Sequence, residues 1–136
     1  MYEILYKDNV EAVVAAPVDS ATVVEVGQML KLAAGEVAPV VDEDDNATFE
    51  GVAKTAKRAI DTHIEKVTIS RRNAQAVFEA PLDTATSIVY GDTLAINNSK
   101  SLKKSATKVV AKAVETKADA TSVRVIFVRR ADDIGA

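Results

Sequence analysis

The chain has 136 residues, 48% of them apolar and 27% charged, with a net charge of −3. Those values fit one domain with a real core and exclude wholesale disorder; the net negative charge does not suggest a general polyanion binder, so no direct nucleic-acid partner is expected. Aromatic residues are 4%, Trp and Cys are absent, and His63 is the one histidine. The scarcity of aromatics argues against a large aromatic-lined pocket or sugar groove, and the Cys and His counts exclude disulfides, thiolate catalysis, Cys-ligated zinc and multi-His metal centres.

No stretch reaches the roughly 18 consecutive apolar residues that a membrane-spanning helix requires. The opening MYEILYKD lacks the basic-then-apolar layout of a secretion signal. The reading is therefore a soluble product made inside a cell, with no membrane partner.

In chain order, residues 1–16 read as an N-terminal arm or extra strand. Tyr2, Ile4 and Tyr6 alternate along it, so it could pair with a sheet edge in its own subunit or in a neighbour. Residues 17–136 read as a single β domain made of two pseudo-repeats, 17–72 and 81–130. Residues 17–32 (PVDSATVVEVGQMLKL) match 81–96 (PLDTATSIVYGDTLAI) at an offset of 64 without gaps. Pro17/Pro81, Asp19/Asp83, Ala21/Ala85, Thr22/Thr86, Gly27/Gly91 and Leu30/Leu94 are identical. A second block matches at an offset of 58: VAKT at 52–55 with VAKA at 110–113, and KVTISRR at 66–72 with RVIFVRR at 124–130. The change of offset falls in the connections 33–51 and 97–109, where loops absorb length changes.

Within each copy the first strand is predicted at 22–26 and 86–90, rich in β-branched residues. The lead-in Asp-Ser/Thr-Ala-Thr reads as a turn, and Gly27 and Gly91 punctuate the strand ends. Further strands are predicted at 29–32, 93–96, 67–69 and 123–128, with Val123, Val125 and Phe127 on one face. Residues 50–64 and 101–120 are ambiguous between helix and strand; the matched segments 49–55 and 108–115 lean toward strand because of Phe49, Gly51 and Val52. The fold class is all-β with room for one short helix: a compact barrel or sandwich of roughly eight to ten strands built from the two repeats. Whether the duplication makes one barrel or two is left open.

No residue constellation supports an enzyme. His63 has no activated Ser or Thr partner in any nucleophile motif. Asp42, Asp44 and Asn46 match three positions of a calcium loop, but Ala47 and Ala53 stand where Gly and Glu are required. No phosphate-cradling glycine loop exists. No metal, cofactor or catalytic residue is expected.

Charge separates the two connections. Residues 33–51 carry Glu36, Asp42, Glu43, Asp44, Asp45 and Glu50 with no Lys or Arg. The equivalent part of the second copy carries Lys100, Lys103, Lys104, Lys108 and Lys112. Beside two simply solvated loops, this admits pairing between neighbouring subunits or steering onto an acidic partner. Asp42, Asp44, Asp45, Lys100, Lys103 and Lys104, with Tyr2, Ile4 and Tyr6, are the candidate contact residues. Arg71-Arg72 and Arg129-Arg130 are expected to be solvated strand ends.

Residues 90–96 (YGDTLAI) and 108–117 (KVVAKAVETK), leading to 122–129 (SVRVIFVR), resemble the capsid decoration, or cement, proteins of tailed bacteriophages. The resemblance covers most of the second half and reaches the first half through the repeat. The family's Gly before Val-Ala is kept at Gly51-Val52-Ala53 and replaced at Val109-Val110-Ala111. It implies a non-enzymatic virion structural protein, made in the host cytoplasm and bound to the capsid exterior. It implies a trimer or dimer whose partner is the major capsid protein, with expanded shells stabilised by bridging their subunits. The alternatives are a lipoyl- or biotinyl-carrier-like barrel, for which Met29-Leu-Lys31 is the nearest attachment motif, and a tail or adhesin-type binding module.

Overall fold

The computed structural model describes residues 13–72 and 76–128. It is all-β among those residues, with ten strands and one short 3₁₀ turn at Glu43–Asn46. The strands are β1 (Val13–Pro17), β2 (Met29–Ala33), β3 (Glu36–Pro39), β4 (Phe49–Ala53), β5 (Lys66–Arg71), β6 (Phe78–Ile88), β7 (Thr93–Asn98), β8 (Ser101–Lys104), β9 (Ala111–Ala113) and β10 (Lys117–Phe127). The chain divides into two compact units: Met1–Pro39 with Thr48–Gln75, and Val40–Ala47 with Ala76–Ala136.

The first unit is a sheet in the order β1-β5-β4-β2-β3. A single parallel bridge, Val18 to Val37, joins its two outer strands. β2 and β3 form a two-residue hairpin in which Ala33 faces Glu36. Ala34 and Gly35 have φ of 52° and 82°. Two positive φ values in succession are the type I′ geometry, whose twist suits a hairpin. An aliphatic core cluster is formed by Ala16, Val18, Val24, Leu30, Val37, Ala53, Val67 and Ile69, and Phe49 of β4 is also fully buried.

The second unit is a closed barrel in the order β10-β6-β8-β7-β9. Its closure is the parallel pair Leu82–Leu102. Val123, Val125 and Phe127 are buried on the inner face of β10, as their alternation predicts. Phe127 packs on Phe78 with ring centroids 5.0 Å apart.

The two units share one topology. β1, β2, β3, β4 and β5 correspond to β6, β7, β8, β9 and β10, and the bridge Val18–Val37 corresponds to Leu82–Leu102. Hydrogen bonds fix the correspondence residue by residue. Gly27 N–H donates to the Ala53 carbonyl and Gly91 N–H to the Ala113 carbonyl, both at 2.9 Å. Ala53 N–H donates to Gln28 and Ala113 N–H to Asp92. Lys54 N–H donates to Thr68, and Val114 N–H to Arg124. The first block therefore runs at the expected offset of 64. The fourth strand of each unit runs at 60 and the last at 56, each two residues from the sequence alignment. A slip of two keeps every side chain on its own face, so alternation alone cannot detect it.

Three local expectations change. Residues 22–26 are not a strand; only Val24 pairs, with Lys57. In the second copy the lead-in Asp83-Thr-Ala-Thr86 lies inside the long β6 instead of forming a turn, and the strand expected over 86–90 ends at Ile88. The connections 33–51 and 97–109 are not wholly loops, because β3 and β8 lie within them. Both are four residues long with few apolar positions, too short to impose a period.

Lys57 explains why the copies diverge at the first of these places. It is completely buried. Its Nζ donates to the Ser20 carbonyl at 2.5 Å and the Thr22 carbonyl at 2.9 Å. Two backbone carbonyls turned inward onto an ammonium cannot also serve a regular ladder. Asp19 fixes the preceding bend by accepting the Ala21 N–H at 3.0 Å.

Candidate functional site: a charged seam and two equivalent turns

Residues 40–47 belong to the second unit. Val40 is buried there. Asp42 caps the 3₁₀ turn, its Oδ1 accepting the Asp44 N–H at 2.9 Å. Asp45 closes the loop from the other side, its Oδ2 accepting the Val41 N–H at 2.7 Å. The acidic run thus folds on itself and presents Glu43 and Asp44 outward.

Basic side chains from and beyond β8 meet it. Lys103 Nζ lies 3.1 Å from Glu43 Oε1. Lys108 Nζ contacts Asp44 Oδ1 directly, from a backbone at φ 52° that a non-glycine residue rarely adopts. The hydrogen bond to Asp44 holds the Lys108 ammonium above its ordinary pKa. Lys104 turns to Asp92 instead, with Nζ to Oδ2 3.2 Å. The oppositely charged loops therefore meet within one chain, where the sequence had offered neighbouring subunits as the meeting place. These pairs are solvent-exposed, so their role is registration more than stability.

Of the nine candidate residues, the structure brings Asp42, Asp44, Asp45 and Lys103 into this seam. Lys104 lies beside it on Asp92. Lys100 is exposed in the β7–β8 hairpin, its N–H donating to Asn98 Oδ1 at 2.9 Å. Tyr2, Ile4 and Tyr6 lie outside the described residues, as do Arg129 and Arg130. Arg72 is not a solvated strand end: it is 4% exposed. Its guanidinium lies over the buried Phe49 ring at 5.4 Å, a cation–π contact that a pair of consecutive arginines does not announce. His63 is exposed in the connection between β4 and β5. Lys31 lies within β2, opposite Ala38 and Phe49, and not at a hairpin tip where a carrier domain holds its attachment lysine. Among the described residues, no cluster of three or more acidic or histidine side chains could hold a metal.

A second feature is duplicated. Residues 25–28 and 89–92 form the same turn. Gln28 N–H donates to the Glu25 carbonyl at 3.1 Å, and Asp92 N–H to the Val89 carbonyl at 2.9 Å. The third residue is glycine in both, with φ of 90° and 92°. A positive φ there with an ordinary one before it is the type II pattern. The fourth side chain locks each turn by accepting the first residue's N–H: Gln28 Oε1 at 2.9 Å and Asp92 Oδ2 at 2.8 Å. The second residue is apolar and exposed in both, Val26 at 65% and Tyr90 at 69%.

The chain matches no protein-family model and no curated protein sequence.

Proposed function

We propose that this chain is a virion structural protein that decorates the outer surface of an expanded icosahedral tailed-phage capsid. It stabilises the shell by bridging subunits of the major capsid protein and acts as a homo-oligomer, a trimer or dimer, with no catalytic role. The observation that supports this reading is where the resemblance falls. Residues 90–96 and 108–117 make the turn and the adjoining strands β7 and β9 of one barrel, and the same turn and topology recur in the first unit. The resemblance thus rests on a repeated structural element and not on scattered letters.

The physics is mass action. A protein that binds only the expanded shell shifts the shell toward that state, by an amount set by its affinity and free concentration. The test is sedimentation of purified protein with expanded shells of the major capsid protein, over a concentration series. Saturable binding at a fixed ratio to the shell subunit supports decoration. Absence of co-sedimentation at every concentration overturns it. A chain lacking residues 1–9 separates the arm's part: full shell binding by that chain removes the arm from the contact.

A further inference from the structure

We propose that the turns 25–28 and 89–92 are matched contact points for a partner that presents one site twice, namely two copies of a single repeating subunit. The proposal takes the identity of that subunit from the decoration reading above. Its geometry stands on the duplicated turn itself.

Turn tips are ordinarily polar or glycine-rich because water surrounds them. Here the second position of the turn is apolar and well exposed in both copies, although the residue has changed from Val26 to Tyr90. Elsewhere on the repeat the surface has diverged. Leu32 is 40% exposed while its equivalent Ile96 is buried, and exposed Val23 corresponds to Ser87. Val13 and Val77, also at the offset of 64, are the other exposed apolar pair, but they lie in and beside strands and not at a projecting tip.

Each tip is also held in place. The 25–28 and 89–92 backbone bonds, the side-chain lock from Gln28 or Asp92, and the glycine N–H anchored to the fourth strand of each unit, β4 or β9, all fix it. Tyr90 gains one bond more, its N–H donating to Thr116 Oγ1 at 3.0 Å. A rigid apolar knob loses little conformational freedom on binding, and an exposed Tyr is a typical anchor of protein contacts. Two such knobs of the same geometry on one chain engage together only where the partner repeats its site. The second contact is then intramolecular and raises affinity by about 10²–10⁴-fold without new chemistry.

The test places a photoreactive benzophenone side chain at position 26 or at position 90, in the full chain, inside the cells that make the protein. Cross-linked peptides are sequenced by mass spectrometry. The expected result is the same segment of one polypeptide from both positions. If that polypeptide is the major capsid protein, the decoration reading also stands. If it is another protein, with one shared segment, the matched contacts stand and the decoration reading falls. Different segments from the two positions, or no product from either, overturn the proposal. In the shell-sedimentation assay, Val26→Asp and Tyr90→Asp should each weaken binding at least about tenfold, with native far-UV circular dichroism confirming the fold. Unchanged binding by either folded variant also overturns it.

Discussion

Lys57 and Lys117 stand at the same point of the repeated topology, yet one is sealed inside its unit and the other is at the surface. Lys57 pairs with Val24, and Lys117 pairs with Ile88, its equivalent. Lys57 has no exposed surface and bonds to two carbonyls. The Lys117 side chain is 41% exposed, 3.8 Å from Glu115 Oε1. One substitution should therefore have two outcomes. Lys57→Met leaves the Ser20 and Thr22 carbonyls without their donor and should cost about 1–3 kcal/mol. Lys117→Met should stay within about 0.5 kcal/mol of the parent, as surface changes usually do. Urea unfolding of both variants checks this; equal losses would show that burial of the ammonium does not matter.

Gly51 is required for closeness and not for an unusual φ. A Cβ there would fall well inside contact distance of the Ser70 carbonyl oxygen on β5. Gly51→Ala should destabilise the protein by about 1–3 kcal/mol, the usual range for overpacking a filled site. The equivalent position of the barrel already carries Ala111, so Ala111→Gly should cost no more than about 1 kcal/mol. Thermal unfolding of both variants separates these effects.

The turn locks predict an asymmetric response to acid. The Val89 N–H, and then Lys104, hold the Asp92 carboxyl below its ordinary pKa. A folded-state pKa below the unfolded one contributes stability that is fully present above the unfolded value and lost as pH falls through the folded one. The Asp92 lock should therefore weaken below about pH 4. Gln28 makes the equivalent bond without a titrating group. Amide exchange followed by NMR from pH 5 to pH 2.5 should show Val89 N–H losing protection ahead of Glu25 N–H. Asp92→Asn should remove the difference. Simultaneous loss in the parent would refute this assignment.

The charged seam should respond to salt. Lys108→Glu places like charges beside Asp44 and should lower the melting temperature at low ionic strength. Asp44→Lys in the same chain should restore it. At about 1 M salt, where the screening length is about 3 Å, the difference should shrink toward zero. A reversal that survives high salt would mean that packing, and not charge, sets the effect.

Much of this fold is legible because strands announce themselves by alternation. Val123, Val125 and Phe127 could be assigned to one face from their spacing alone, and the glycines at 27 and 91 aligned the two copies correctly. The two-residue slips in the fourth and fifth strands of each unit were invisible for the same reason that strands are visible: a period of 2 repeats itself after such a shift. The irregular path of residues 18–24 depends on Lys57, which lies more than thirty residues away in sequence. No local pattern marks a lysine that will be buried under someone else's carbonyls. The charged loops were legible as opposite in sign. That they meet in one chain was not, because it depends on residues 40–47 packing with the second unit although they sit between strands of the first.

In each unit the first strand lies hydrogen-bonded beside the last. Val13 faces Ser70, and Phe78 faces Val125. A segment whose ends are neighbours can be copied head to tail with a short linker and no rethreading of its interior. Gene duplication of such a segment is sterically cheap, and the copies are then free to drift apart on their surfaces while keeping a common skeleton. The buried lysine of one unit and the uninterrupted strand of the other are what that drift looks like. By the same reasoning the ends of either unit are natural places to graft a third copy, or a foreign domain, without disturbing the strands between them.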